Sequence, residues 1–389
     1  MIQAKIIADS ISPNNHRLTT LEVIMPRYIL AEFNTHRILS KNSASSRAIP
    51  FNKMIKEIEE RPFIPYAWQK DHSGMQGNEY IENTKNIEED WLLARDMAVH
   101  HAKALNAQGG TKQLCNRLLE PFIYHKVLVS GTEWENFFNL RCPQYTLDNI
   151  TFFKSKKELK DFYKGKEQYL IKQLNLRADS IFADNNDILA WLKCNVGQAD
   201  IHIMSLAEAI YDAINESTPK ELKEGEWHIP YGDNFDEDKL LDKSVYGFEN
   251  STPENQGGWT IEGGEEAYYY ILNEIKCKIS IARCARLSYQ TLGDNPVINY
   301  EKDLELYEVL SKSGHWSPFE HVARVMTEQE YHCNINGKIH DIGDKQFSQE
   351  FQDKYMEKDR KLLTGTVYTK SQGWCRNFRG FIQQRALID

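Results

Sequence analysis

The chain has 389 residues, 41% of them apolar and 26% charged, which is ordinary globular composition with room for about two or three domains and excludes a disordered or fibrous protein. Lysine and arginine total 47 against 56 acids, a net charge of −9, which argues against a nucleic-acid backbone as partner and favours small, locally bound anions. The N-terminal MIQAKIIADSIS has no basic region ahead of an apolar one, and no apolar run approaches the ~20 residues of a membrane span, so a cytoplasmic protein with no membrane partner is expected.

In chain order, Gln3 to Asp9 and Leu18 to Met25 read as short strands, and Pro26 opens a helix carrying Ile29, Leu30 and Phe33. Ile87 to Leu105 and Ile201 to Ile214 carry apolar residues at helical spacing and read as core helices. Between them, residues 146 to 197 are lysine-rich with a strand-like NITFF and a helix-like KKELKDFY, the pattern of a small inserted subdomain. Residues 217 to 265 shift to Gly, Pro, Asp, Glu and Asn and read as an exposed connection, placing the main boundary there. A helix from Glu265 to about Ile275, the segment SIARCARLSY, a helix near Tyr300 to Ser311, a strand after Glu320 and the segment WCRNFRGFIQQR complete the chain. The expected organisation is thus a core in two parts, 1 to 145 with 198 to 216 and then 266 to 389, around the insertion and the connection.

The chemistry-bearing residues are concentrated in a few places. THRILSKNSASSR packs His36, Arg37, Ser40, Asn42, Ser43, Ser45, Ser46 and Arg47 together, a density of cations and short donors that suits an anion but is also compatible with a solvated loop. GHWSPFEH brings His315, Ser317, Glu320 and His321 around the rigid Pro318, and no further His or carboxylate nearby completes a metal ligand set. TEWENFFNLRC reads as a short helix capped by Thr132, burying Trp134, Phe137 and Phe138 and ending in Arg141; Arg117 stands in the preceding amphipathic TKQLCNRLLEP, and a salt bridge is the plain expectation for either arginine. The seven cysteines contain no C-x-x-C pair, and no phosphate-binding loop or dinucleotide fingerprint is present, so buried thiols and no metal are expected.

Taken together, these segments resemble the flavin-dependent thymidylate synthases. THRILSKNSASSR is similar to that family's R-H-R-x-x-S-x-N-E-x-S-x-R signature, GHWSPFEH to G-H-x-[ST]-P-F-E-H, SIARCARLSY to A-A-R-x-S-[FY], and RLLEP with FFNLR to R-x-x-L-P and F-L-x-L-R. The order differs from the family's, because A-R-x-S and G-H-x-[ST]-P-F-E-H precede the arginine signature there and follow it here, the pattern of a circular permutation joined through residues 217 to 265. The resemblance implies an α/β (α+β) fold with a flavin-dependent thymidylate synthase-like core, an activity converting dUMP to dTMP with methylenetetrahydrofolate as carbon donor and reduced FAD as hydride donor, NADPH as reductant, and a homotetramer with shared sites.

Carried over by position, the resemblance implies FAD contacts from Thr35, His36, Arg37, Ile38, Asn136, Ser288, His315, Ser317 and Glu320. It implies dUMP contacts from Glu32, Ser43, Ser45, Ser46, Arg47, Arg117 and Arg141, with Arg141 as the catalytic residue that stabilises the uracil anion. Thr35 stands where the signature has its first arginine, Ser43 where it has glutamate, and Glu32 where the family often has glutamine; a histidine expected after F-L-x-L-R is missing. Arg379, Gln383 and Arg385 are candidates to supply the lost contacts, and Arg177 in LNLRADS is the rival of Arg141. The departures also admit a related pyrimidine-nucleotide hydroxymethylase, or a nucleotide-binding assembly protein of the same fold without turnover.

Overall fold

The N-terminal strands form as a hairpin, β1 (Gln3–Ile11) and β2 (Arg17–Pro26), whose turn places Asn15 at a φ of 59°, a left-handed conformation that asparagine tolerates. The computed structural model describes residues 2–73, 77, 79–166, 187–232, 235–240, 253–254, 258–259, 264–289, 299–335, 338–339 and 373–388. Pro26 ends β2 instead of opening an α-helix, since its fixed φ suits the extended entry to a 3-10 turn, and α1 begins only at Leu30 (Leu30–Asn34). Two further strands, β3 (Ser40–Ser43) and β4 (Tyr124–Gly131), and the short β5 (Lys220–Glu221) complete a five-stranded sheet of order β3-β4-β2-β1-β5. Its pairings are antiparallel except that of β5 with β1.

Period-two alternation divides this sheet into two chemically different faces. Leu21, Val23 and Met25 of β2 and Val127 and Val129 of β4 join a buried cluster with Ile203, Leu206, Ala207 and Ile210 of the helix Ile201–Glu216, the core helix anticipated from its spacing. Asp200 caps that helix by accepting from the N–H groups of His202 and Ile203. On the other face Leu128 packs with Cys284 and Leu287, at the end of the long helix Gly264–Arg286. The SIARCAR segment is therefore the last part of one continuous helix.

Polar residues on this second face form a row across three strands. Thr20 lies opposite Ser130, and Ser130 opposite Ser40. The Thr20 and Ser130 hydroxyls are 2.6 Å apart; Thr20 Oγ1 lies 2.8 Å from His228 Nε2, whose Nδ1 is 2.9 Å from Ser10 Oγ, and Ser130 Oγ lies 2.8 Å from His321 Nδ1. Gln383 Nε2 donates to Ser40 Oγ at 2.9 Å. Every partner of the row apart from Ser10 comes from beyond residue 220. Those partners sit on or beside a second, three-stranded sheet in which β7 (Ala323–Val325) is flanked by β6 (Trp227–His228) and β8 (Phe381–Gln383).

Several sequence expectations change. Residues 217 to 232 are woven into both sheets, with His228 fully buried and Leu222 5% exposed, so backbone pairing overrides their loop-like composition; the connection's central residues, 241 to 252, lie outside the described residues. The helix at 85 to 107 exists, but only Val99 and Ala102 are buried, while Leu93, Met97 and Leu105 are exposed, because only one narrow edge of it meets a packing partner. NITFF is no strand: Phe153 makes a single bridge to Tyr145, and Asp148 holds the preceding turn through the N–H groups of Ile150 and Thr151. KKELKDFY is helical, Lys156–Tyr163, capped by Ser155, and Leu159 and Tyr163 share a small core with Tyr145, Leu147, Phe153 and Trp191.

Burial pushes His125, His228 and His321 down to about 3, with Arg27 adding to the effect at His125. In the unfolded chain these rings titrate near 6.5, so the stability they confer as neutral groups is complete above that pH and is lost as pH falls towards about 3. Urea unfolding followed from pH 8 to 4.5 should give a midpoint that drops below pH 6.5, with a slope approaching 1.4 kcal/mol per pH unit for each histidine, about three such terms together; an unchanged midpoint between pH 7 and 5 contradicts the buried row.

Candidate functional site

Asn42, at the centre of THRILSKNSASSR, is the junction of three distant segments. Its position in β3, opposite Leu128, turns its side chain to the same face as the hydroxyl row. Asn42 Nδ2 donates to the Cys284 carbonyl at 2.7 Å, and Asn42 Oδ1 accepts from Ser317 Oγ at 3.1 Å and from Ser288 Oγ at 3.5 Å. Ser288 Oγ also lies 3.2 Å from the Ser43 carbonyl, and the Ser45 N–H donates to the Ser288 carbonyl at 3.1 Å. Separations of 246 and 275 residues are thereby closed by one buried carboxamide.

The turn bearing Ser317 is built by its own sequence. The helix Tyr300–Ser313 starts at Asn299, whose side chain accepts from the Lys302 N–H, and ends at Gly314, where a φ of 70° requires glycine at low cost. The chain then enters a 3-10 turn, Ser317–Glu320, with Pro318 near its start and Phe319 fully buried. Glu320 is already engaged: its carboxylate pairs with Arg385, and its carbonyl accepts from Gln383 Nε2 at 3.0 Å. Gln383 and Arg385 thus brace this turn. Arg379 contributes its backbone N–H to Thr132 Oγ1 at 3.0 Å, which also explains why Thr132 caps no helix; Trp134 precedes the helix Glu135–Arg141 in its place.

Arg141 meets the start of the signature. Its Nε donates to His36 Nε2 at 3.1 Å, and its Nη1 is 3.7 Å from Glu32 Oε2, beyond hydrogen-bond length. His36 packs edge-on against Phe137 at 4.9 Å between ring centres, so the aromatic helix that carries Arg141 also seats its acceptor. Burial, then Arg141 and Lys41, push His36 down to about 4, which leaves its ring neutral at pH 7 and able to accept. Lys41, lowered to about 8 by burial, donates to the carbonyls of His36 and Leu39 and lies 5.1 Å over the Phe33 ring.

Arg47 and Arg117 are exposed and have no carboxylate partner among the described residues, unlike most surface arginines beside an acid. The loop of Arg47 is pinned to the 3-10 turn Asn116–Phe122 that carries Arg117: Asn116 Nδ2 donates to the Ser46 carbonyl at 2.6 Å and to the Ile49 carbonyl at 3.0 Å. Ser46 Oγ donates to Glu120 Oε1 at 2.5 Å, and Arg27 lies 3.7 Å from the same carboxylate, so Ser46 is a scaffold residue and Ser45 the freer hydroxyl. Arg37 is likewise exposed without a carboxylate partner among the described residues. Thr35 donates its hydroxyl to the Glu32 carbonyl at 2.6 Å, Ile38 packs on the main core cluster, and Asn136 and His315 are exposed. The rival Arg177 lies outside the described residues.

Sequence reasoning missed Lys41, His228, Thr20 and Ser130. Only Lys41, inside THRILSKNSASSR, stood in a segment already marked; the others sit in strands whose partners no local pattern names. Among the described residues no cluster of His, Cys, Asp or Glu is suited to a metal ion, and no helix is long and apolar enough to cross a membrane.

No protein-family model and no curated protein matches the chain. Among solved structures it is similar to the UMP/dUMP methylase PolB from Streptomyces cacaoi bound with 5-Br UMP, at 15% identity and a TM-score of 0.30, over 47% of this chain and 95% of that one. The structure of PolB bound with 5-Br dUMP gives 12% identity and a TM-score of 0.31, over 47% of this chain and 96% of that one. A likeness of this depth decides neither fold nor activity, which rest on the chain's own geometry.

Removing the carboxamide in Asn42→Ala strands the buried Cys284 carbonyl and takes the acceptor from the half-buried Ser317 hydroxyl, so urea unfolding should report a loss of about 1–3 kcal/mol. A variant as stable as the parent would show that the three segments meet without it.

Proposed function

We propose that the chain is a flavin-dependent thymidylate synthase with its segments in permuted order, acting on dUMP with methylenetetrahydrofolate as carbon donor. The observation that carries this reading is the convergence of three motifs on Asn42, since Ser288 and Ser317 meet the arginine signature in space as the family resemblance requires. Arg47 and Arg117, unpaired among the described residues, with Arg47 on a loop that Asn116 pins to the 3-10 turn of Arg117, hold the nucleotide phosphate in this reading, with Ser45 as a further donor. Arg141 faces the uracil and stabilises negative charge on its ring, which raises nucleophilicity at C5; its guanidinium is already oriented by His36 before substrate arrives.

The residues present fit a flavin in one respect: the Ser288 and Ser317 hydroxyls meet at one junction, where each can still accept a hydrogen bond, and Arg37 and His315, each within five residues of it in sequence, are exposed. They, with His36, would hold FAD, which when bound and reduced by NADPH supplies the hydride that completes the methyl group. Glu320 serves the turn through Arg385. The exposed Leu93, Met97 and Leu105 on one helix, with Leu114 and Leu118 close in sequence, support self-association into the tetramer that this reading entails.

The decisive experiment is a visible absorption spectrum of the purified protein followed by anaerobic turnover of labelled dUMP with FAD, NADPH and methylenetetrahydrofolate. A flavin spectrum and a methylated product are expected; a hydroxymethylated product, or neither flavin nor product, overturns the reading. Arg47→Ala should weaken dUMP binding by about 1.5–3 kcal/mol in calorimetry while flavin content is retained. Arg141→Lys keeps the charge but loses the planar fork, so turnover should fall by about an order of magnitude or more with the fold intact, as judged by circular dichroism.

A further inference from the structure

Away from the Asn42 junction, a cavity of about 460 Å³ opens between the segment at 63 to 66, the start of β4, and the helices Ile188–Lys193 and Ile201–Glu216, a size typical of small-molecule sites. Its walls are aromatic: Phe63, Tyr66, Tyr124, Tyr145 and Trp191. The Tyr124 hydroxyl has no hydrogen-bond partner among the described residues, and burial raises its pKa, so it stays a neutral donor. Beside these walls stand two ammonium groups one helical turn apart, with Lys156 at 5.8 Å and Lys160 at 5.7 Å from the centre of the same Trp191 ring. Neither has a salt bridge among the described residues. The nearby Glu208 attracts Lys156 electrostatically, but its carboxylate is occupied by the Lys156 N–H at 2.7 Å and the Tyr145 hydroxyl at 3.1 Å. Two like charges at this spacing repel each other, and an anion between them relieves the repulsion. Flat π-surfaces recognise a planar ring by stacking, and the paired ammonium groups recognise a charge attached to it.

We propose that this cavity is a second binding site, taking a planar heteroaromatic ring with an anionic tail, of the size of a nucleoside monophosphate. The ring enters between Tyr124 and Trp191, and the tail meets Lys156 and Lys160. None of these residues belongs to the proposed dUMP site, so the two readings stand or fall separately.

Adenosine 5′-monophosphate, with adenosine as the uncharged control, is titrated calorimetrically into the full chain carrying Arg47→Ala, which weakens the other proposed phosphate contact. One saturable site is expected. The double variant Lys156→Gln, Lys160→Gln, at half-exposed helix positions, should weaken binding of the monophosphate at least about tenfold and leave the weaker binding of adenosine unchanged. Ser205→Trp, which fills the cavity, should abolish binding of both with an unchanged circular dichroism spectrum. The proposal is overturned by no saturable binding up to about 10 mM, or by monophosphate binding that the lysine variant leaves intact.

Discussion

Three hydroxyls side by side on one face of the sheet, those of Thr20, Ser130 and Ser40, set the condition that the rest of the structure must meet. A buried hydroxyl without a partner costs about 1–3 kcal/mol, and the strands' own ladder bonds use only backbone groups. The row is satisfied by His228, His321 and Gln383, all from the later part of the chain, together with Ser10 at its end. The N-terminal sheet therefore cannot bury this face as an independent unit. Closing it brings GHWSPFEH and the end of the long helix against β3, and with them Ser288 and Ser317 against Asn42.

The same closure decides the electrostatics. Overall charge is −9, yet the surface around the signature carries Arg37, Arg47 and Arg117 without carboxylate partners among the described residues. Arg141 differs, because it is half-buried and oriented by a neutral His36 whose low pKa follows from burial and from Arg141 itself. A histidinium there would repel the guanidinium, so the pair is self-consistent only with the ring neutral. Glu32 is near enough to attract Arg141 but too far to bond it, which leaves the planar fork largely available.

Rigidity is distributed to match. Asn116 and Glu120 hold the loop after β3 through the Ser46 carbonyl and hydroxyl, while Arg385 and Gln383 hold the 3-10 turn of Glu320. Residues that look like ligands in the sequence, Ser46 and Glu320, thus spend their polar groups on scaffolding, and their neighbours Ser45 and Ser317 keep more of theirs. A motif names a neighbourhood; the hydrogen-bond partners within it decide which member is free.

Local chemistry was enough to read β1, β2, the helix at 201 to 216, a late helix near Tyr300 to Ser311, and the aromatic helix that ends in Arg141, because apolar period acts within a few residues. It was also enough to mark the three segments that meet at Asn42. It was not enough to see that residues 217 to 232 enter two sheets, that Leu105 of a periodic helix faces outward, that Phe153 makes one bridge instead of a strand, or that Thr132 serves the backbone of Arg379. Each of these depends on a partner 100 or more residues away or on the lack of one, as for Thr132 and Arg379 at a separation of 247. The sequence by itself determined which residues could bind an anion and which turns could present them; only the tertiary structure decided their company, because a buried hydroxyl or carboxamide takes whichever partner the packing of distant strands and helices delivers.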